Sequence, residues 1–188
     1  MPKKGFSIED LLYPKPRKYE DNYPKTPLRI KSRKAKAEAE RILKELNLNS
    51  LPILLQPICE YLGAYVIQSD RIQDNPNAAG RFLGNGRIEI IKGLPKNLFR
   101  STLAHELGHL ALRHDTRYKW DETDSFQDPD PHEKEAWDFA GEILVPDIIL
   151  KPLLRNNLNP EYLAQKFMVS SAFMWVQLSK RRYLNIFS

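Results

Sequence analysis

A single cysteine, Cys59, stands in the 188 residues. It excludes an internal disulfide and a cysteine-rich zinc site, and its apolar surroundings suit a buried, inert thiol. Long apolar runs are missing too, since no stretch approaches the ~20 residues that a membrane span needs. The opening Met1-Pro-Lys-Lys-Gly-Phe-Ser-Ile-Glu-Asp lacks the apolar core of a secretory signal. The expectation is a soluble, cytoplasmic protein with no membrane association. Histidine is also scarce, at 4 residues, so each position carries information.

What is present suffices for a core: 41% of residues are hydrophobic and 10% aromatic. The length fits one domain, or one domain with a tail. The net charge of +5 is unevenly spread. Residues 1–36 hold 11 Lys+Arg against 4 Asp+Glu, leaving 18 against 20 for the rest. The body is slightly acidic and the high isoelectric point belongs to the tail. Five prolines within 1–30 forbid a long helix, so this segment reads as a basic, extended arm. It is either a solvated tail or a contact for an acidic partner such as nucleic acid.

Two of the four histidines fall in His105-Glu-Leu-Gly-His109. On a helix, positions i and i+4 share a face, so both imidazoles can reach one metal ion. Neutral imidazole suits Zn²⁺. Glu106 is turned away from that pair, within reach of water as general base. Leu103, Leu107, Leu110 and Ala111 extend an apolar stripe that would bury this helix and hold its ligands still.

The chain in order predicts a helix from Ile30 to Leu46, with Ala35, Ala39, Ile42 and Leu46 inward. A second helix is expected over about 52–62, with Ile53, Leu54, Ile58 and Tyr61 inward and Gly63 as its stop. Strands are expected at 64–68, 79–83 and 87–91, the last two joined by an Asn85-Gly86 hairpin. An acidic connector of about twenty residues follows Arg113, either solvated or involved in substrate binding. Helices are predicted over 132–145, 146–155, 160–167 and 171–183. In the first of these, Ala136, Phe139, Ala140 and Ile143 share a face.

A catalytic zinc site needs a third protein ligand. A ligand six residues past His109 would be Asp115, but Leu112 stands where that arrangement has a glycine turn. An unbroken helix would carry Asp115 away, and His114 reads as a helix C-terminal residue. On the 132–145 helix, Glu133 shares a face with Ala136, Trp137 and Ala140. Small residues there would let two helices approach until a carboxylate meets the metal. Glu135 shares its stripe with Phe139 and remains the alternative to Glu133.

His105-Glu-Leu-Gly-His109, followed by Glu133-x-x-Ala136-x-x-Phe139-Ala140-x-x-Ile143-Leu144-x-Pro146, resembles the ImmA/IrrE metallopeptidases. The resemblance spans roughly 31–188, and the arm over 1–30 has no counterpart. It implies an α+β fold: a zincin-like core with a small, mostly antiparallel sheet, the H-E-x-x-H helix and a C-terminal helical bundle. It also implies a metal site of His105, His109 and Glu133, holding one Zn²⁺ per chain. The implied activity is zinc endopeptidase, with Glu106 as general base. The implied partner is a helix-turn-helix repressor, whose cleavage relieves repression. Arg87–Ile91 would be the edge strand that pairs with substrate, and His114 or Tyr118 could face the oxyanion. Trp137 departs from the family's usual small polar residue at that position.

A second reading comes from 146–188, where Leu163-Ala164-x-x-Phe167-x-Val169-Ser170 and the next helix resemble a helix-turn-helix. The protein would then be a DNA- or repressor-binding regulator of toxin–antitoxin or phage type. A recognition helix should offer Arg, Lys, Asn or Gln to base edges. This one offers Phe173, Trp175 and Val176, with Gln177 and a basic end at Lys180-Arg-Arg182.

Overall fold

Ala35, Ala39 and Ile42 recur at helical spacing, and all three are fully buried along one face of α1 (Pro27–Glu45). The opposite face carries Arg41, 2.6 Å from both Glu38 and Glu45. The computed structural model describes residues 27–73, 78–114, 131–156 and 159–184. The arm up to residue 26, the Asp74–Asn77 turn cluster and the acidic connector with Asp115 and Tyr118 therefore lie outside the described residues. α1 begins at Pro27, inside the stretch read as arm, because proline is tolerated in a helix's first turn.

Pro57 sits in the first turn of α2 (Gln56–Leu62). A helix tolerates proline in its first turn, and α2 starts there rather than at the expected 52. Leu54 is left 59% exposed rather than inward, and Tyr61 is 42% exposed. Gly63, left-handed at φ 65°, ends α2 as expected.

Three strands follow: β1 (Tyr65–Ser69), β2 (Gly80–Gly84) and β3 (Arg87–Ile91). Asn85 and Gly86 both adopt positive φ, 51° and 74°, which matches the twist a tight hairpin needs. Gly86 is required twice over, because a Cβ there would stand 2.3 Å from the Gly63 carbonyl oxygen. The strand order is β1-β3-β2, with β1 parallel and β2 antiparallel to β3. Two expectations fail here. The sheet is mixed rather than mostly antiparallel, and Arg87–Ile91 is the central strand rather than an edge. The physical reason is its side chains: Ile88 and Ile90 are fully buried, and a strand this apolar is stabilised by neighbours on both sides.

Five helices complete the described residues: α3 (Lys96–Ala111), α4 (Pro131–Leu144), α5 (Asp147–Leu154), α6 (Pro160–Phe167) and α7 (Ser171–Lys180). In α4 the predicted inward set Ala136, Phe139, Ala140 and Ile143 is fully buried. Phe139, Ala140 and Ile143 share one continuous core with Leu150, Leu163 and Phe167. Asn159 and Ser170 cap α6 and α7 by accepting from the backbone N–H of Tyr162 and Phe173, which satisfies donors that a helix start otherwise leaves open.

Candidate metal centre

Ser101 to Gly108 are buried without interruption, so α3 is enclosed on every side along this stretch. Two glycines make the enclosure tight. A Cβ on Gly80 of β2 would stand 2.6 Å from the Thr102 Cγ2, and one on Gly108 would stand 2.9 Å from the Ala136 carbonyl oxygen. The second approach presses α4 against the H-E-x-x-H helix, as the small Ala136 predicts. Gly108 shares that role, and its position within the motif was the available signal.

The approach brings α4's first turn to the histidines. Nε2 of His105 and Nε2 of His109 are 3.1 Å apart. Glu133 places its two carboxylate oxygens 3.1 Å from the first and 3.3 Å from the second. One ligand atom from each of the three residues lies within 4.8 Å of the others. Ligands held at 2.0–2.1 Å from a tetrahedral zinc stand roughly 3.3 Å from one another. The spacings and the donor set, two imidazole nitrogens and one carboxylate, both fit zinc.

Glu135 is not in this group. Its Oε2 lies 3.0 Å from Nε2 of His114, whose Nδ1 lies 3.1 Å from Nδ1 of His109. His132 stacks on His114 with ring centroids 4.5 Å apart. All four histidines of the chain therefore meet in one cluster, which spacing alone did not disclose for His114 and His132. His114 gets there because α3 does break. Leu112 stays right-handed, but Arg113 is left-handed at φ 58°. The turn expected to be missing at Leu112 thus comes one residue later.

Electrostatics separate the two acids on α3 and α4. Glu106 is buried, and burial raises its pKa above the ordinary carboxylate value. The two imidazoles and the backbone N–H of Phe82 in β2 pull the other way without prevailing. For Glu133 burial also favours the neutral form, yet hydrogen bonds and charge from His105 and His109 outweigh it. Its carboxyl is held well below the usual range. Burial lowers the His114 pKa, against the pull of Glu135. His105 stacks on Trp137 at 4.2 Å between ring centroids, so the departure at position 137 places an indole against a ligand ring.

The sequence matches the IrrE N-terminal-like domain of the peptidase M78 family over residues 59–179. No curated protein matches it. Among solved structures, a Mycobacterium tuberculosis transcriptional regulator superposes with a TM-score of 0.57 at 16% identity. That match covers 92% of this chain and 50% of the regulator, so the chain spans about half its length. At such identity the likeness concerns the fold alone. The family match runs from α2 into α7 and takes in both helices of the metal centre, and on that ground the chain belongs to the IrrE N-terminal-like family of M78 peptidases.

Proposed function

We propose that this protein is a zinc-dependent endopeptidase in which His105, His109 and Glu133 hold the metal and Glu106 is the general base. The observation that carries this reading is the convergence of those three ligand atoms within 4.8 Å on two buried helices. Zinc bound there would polarise the scissile carbonyl and make water a stronger nucleophile. Glu106, raised towards neutrality by burial, takes a proton from the attacking water and delivers it to the leaving amine. The Phe82 N–H bonded to its carboxylate fixes where that proton is taken up.

The substrate edge moves from β3 to β2. Ile91 N–H donates to Ala79 at 2.9 Å, which puts Gly80 and Phe82 at the alternate pairs with Ile90 and Ile88. Their backbone groups point away from β3, towards the side where Glu106 stands. An extended substrate adding a strand along β2 would bring its peptide bond to the base. For the substrate we propose a helix-turn-helix repressor. The family match and the folding likeness to a transcriptional regulator support that choice. We assign this activity to the body over 31–188 and leave the arm a role outside the chemistry.

The DNA-binding alternative is weaker at its own best residue. Gln177 is 5% exposed and 3.3 Å from the Arg181 guanidinium, so it is unavailable to a base edge. The exposed side of α7 offers Trp175 and Val176 instead. Metal analysis and a cleavage assay on a repressor encoded beside this gene test the proposal together. One zinc per chain is expected, with cleavage abolished in Glu106→Gln while metal and fold persist. Protein that takes up no zinc and leaves the repressor intact would sink it.

A further inference from the structure

We propose that Glu135 and His114 form a positioning relay that holds His109 in the tautomer a metal requires; this rests on the three-ligand reading above. Once the Nε2 lone pair of His109 is given to a metal, one arrangement of protons along the chain fits the distances. An ionised Glu135 can only accept, so His114 donates from Nε2 across 3.0 Å. Neutral His114 then has a bare Nδ1, which accepts from Nδ1–H of His109 across 3.1 Å. With its proton on Nδ1, His109 keeps a lone pair on Nε2, the atom facing His105 and Glu133. A carboxylate supporting a ligand histidine is a common device of metal sites. Here a second histidine is interposed.

The backbone is built for the relay. The His114 N–H returns to the His109 carbonyl at 2.9 Å, and the Arg113 N–H returns to Leu110 at 3.1 Å. This pair of bonds closes a helix in a Schellman turn, whose left-handed position is usually glycine. Arg113 occupies it at φ 58°, a conformation that disfavours a side chain. The turn folds the His114 ring back over the last turn of α3, where it is 8% exposed. The two ligand rings are supported unequally. His105 Nδ1 is buried without a hydrogen-bond partner among the described residues, and its ring rests on Trp137. Of the two rings, His109 is the one held through its Nδ1 as well.

The test compares His114→Phe, which fills the space without an acceptor, with His114→Asn, whose Oδ1 can still accept from His109. Zinc affinity is measured by competition with a chromophoric chelator, alongside thermal melting of the metal-free proteins. His114→Phe should bind zinc about 10- to 100-fold more weakly, and His114→Asn should stay within about threefold of wild type. Glu135→Gln, which keeps an acceptor for His114, should fall between them and serves if the Phe variant does not fold. Equal zinc affinity in wild type and His114→Phe overturns the relay. So does an Asn variant as weak as the Phe variant. Wild-type protein that binds no zinc overturns the relay and the metal reading together; zinc binding with no effect at position 114 overturns the relay alone.

Discussion

The two ends of α4 carry carboxylates into the interior, and they are treated in opposite ways. At the C-terminal end, Glu142 is 2% exposed and Asp147, just beyond the helix, is 8% exposed. Two permanent cations reach both of them, and Lys151 adds a third 3.5 Å from Asp147. Lys36 Nζ lies 2.6 Å from Asp147 and 3.6 Å from Glu142, and Arg181 lies 3.1 Å and 3.3 Å from the same pair. Arg181 also donates to the carbonyls of Val145 and Gly141. Each buried carboxylate has fixed cations beside it, so this cluster ties α1, α4, α5 and α7 together. At the N-terminal end, Glu133 and the buried Glu106 face imidazoles, and no Lys or Arg pairs with either among the described residues. Their partners are imidazoles, which can exchange a proton for a metal ion as Lys and Arg cannot. The difference teaches how to tell a structural cluster from a functional one: a stable interior neutralises itself, while a metal site is left for its ion to complete.

The largest effect should come from the chemistry. Glu106→Gln should lower peptide cleavage by 10²- to 10⁴-fold with zinc content unchanged, as read by turnover assay and metal analysis. Next comes the balanced end, where Arg181→Met leaves two buried carboxylates short of a charge. It should lose about 3 kcal/mol in denaturant unfolding. The stabilisation on adding zinc should be unaltered, because the two ends lie nine residues apart, roughly 13 Å along the helix. A changed zinc increment would merge the two clusters into one. Gly108→Ala should then cost about 1–3 kcal/mol, since its Cβ meets the Ala136 backbone. It should also weaken zinc binding by pushing Glu133 away, although alanine is ordinarily the better helix former.

The smallest effect is expected for Lys36→Met, about 1 kcal/mol, because the lysine side chain is 39% exposed and its pairing is partly screened. Its pH dependence tests the sign. Burial pushes the Asp147 pKa up, but the Lys36 hydrogen bond and the charges of Arg181 and Lys36 outweigh it, leaving the value below 3.8. That contribution is present above the ordinary value and is lost as pH falls through the lower folded one. For Lys36, burial lowers the pKa while the bond to Asp147 raises it further, to a value above 10.5. Its share is present below 10.5 and is lost as pH rises through the folded value. Glu142 runs the other way. Burial holds it above 4.5 despite Arg181, so its ionisation costs stability as pH rises through that value. Unfolding between pH 2 and 5 should therefore show a shallower net acid loss in Lys36→Met than in wild type. An unchanged slope would break the assignment of Asp147 to this pair.

Much of this was legible from local pattern. The i, i+4 spacing of His105 and His109, the Ala136-Phe139-Ala140-Ile143 face, the Asn85-Gly86 hairpin and the Gly63 stop each depend on neighbours within about one helical turn or one hairpin. Such features are set by backbone geometry and by which side chains leave water, and both can be read along the chain. That Glu133 rather than Glu135 lies beside His105 and His109 was also readable, because small residues on its face allow close packing.

What required the tertiary structure involves pairs far apart in sequence. Strand order depends on which strand gains most from two neighbours, so β3 became central, with β1 and β2 at the edges among the described residues. The Lys36–Asp147–Arg181 cluster joins residues 111 and 34 positions apart, and nothing local announces it. The break at Arg113 is a left-handed residue without glycine, stabilised by the bonds it closes rather than by its own preference. Glu135 is 21 positions from His114, and their meeting depends on α3 and α4 packing closely at Gly108. The motif alone placed two histidines on one helix face; packing decided that Glu133 meets them, that Glu135 meets His114, and that β2 runs beside Glu106.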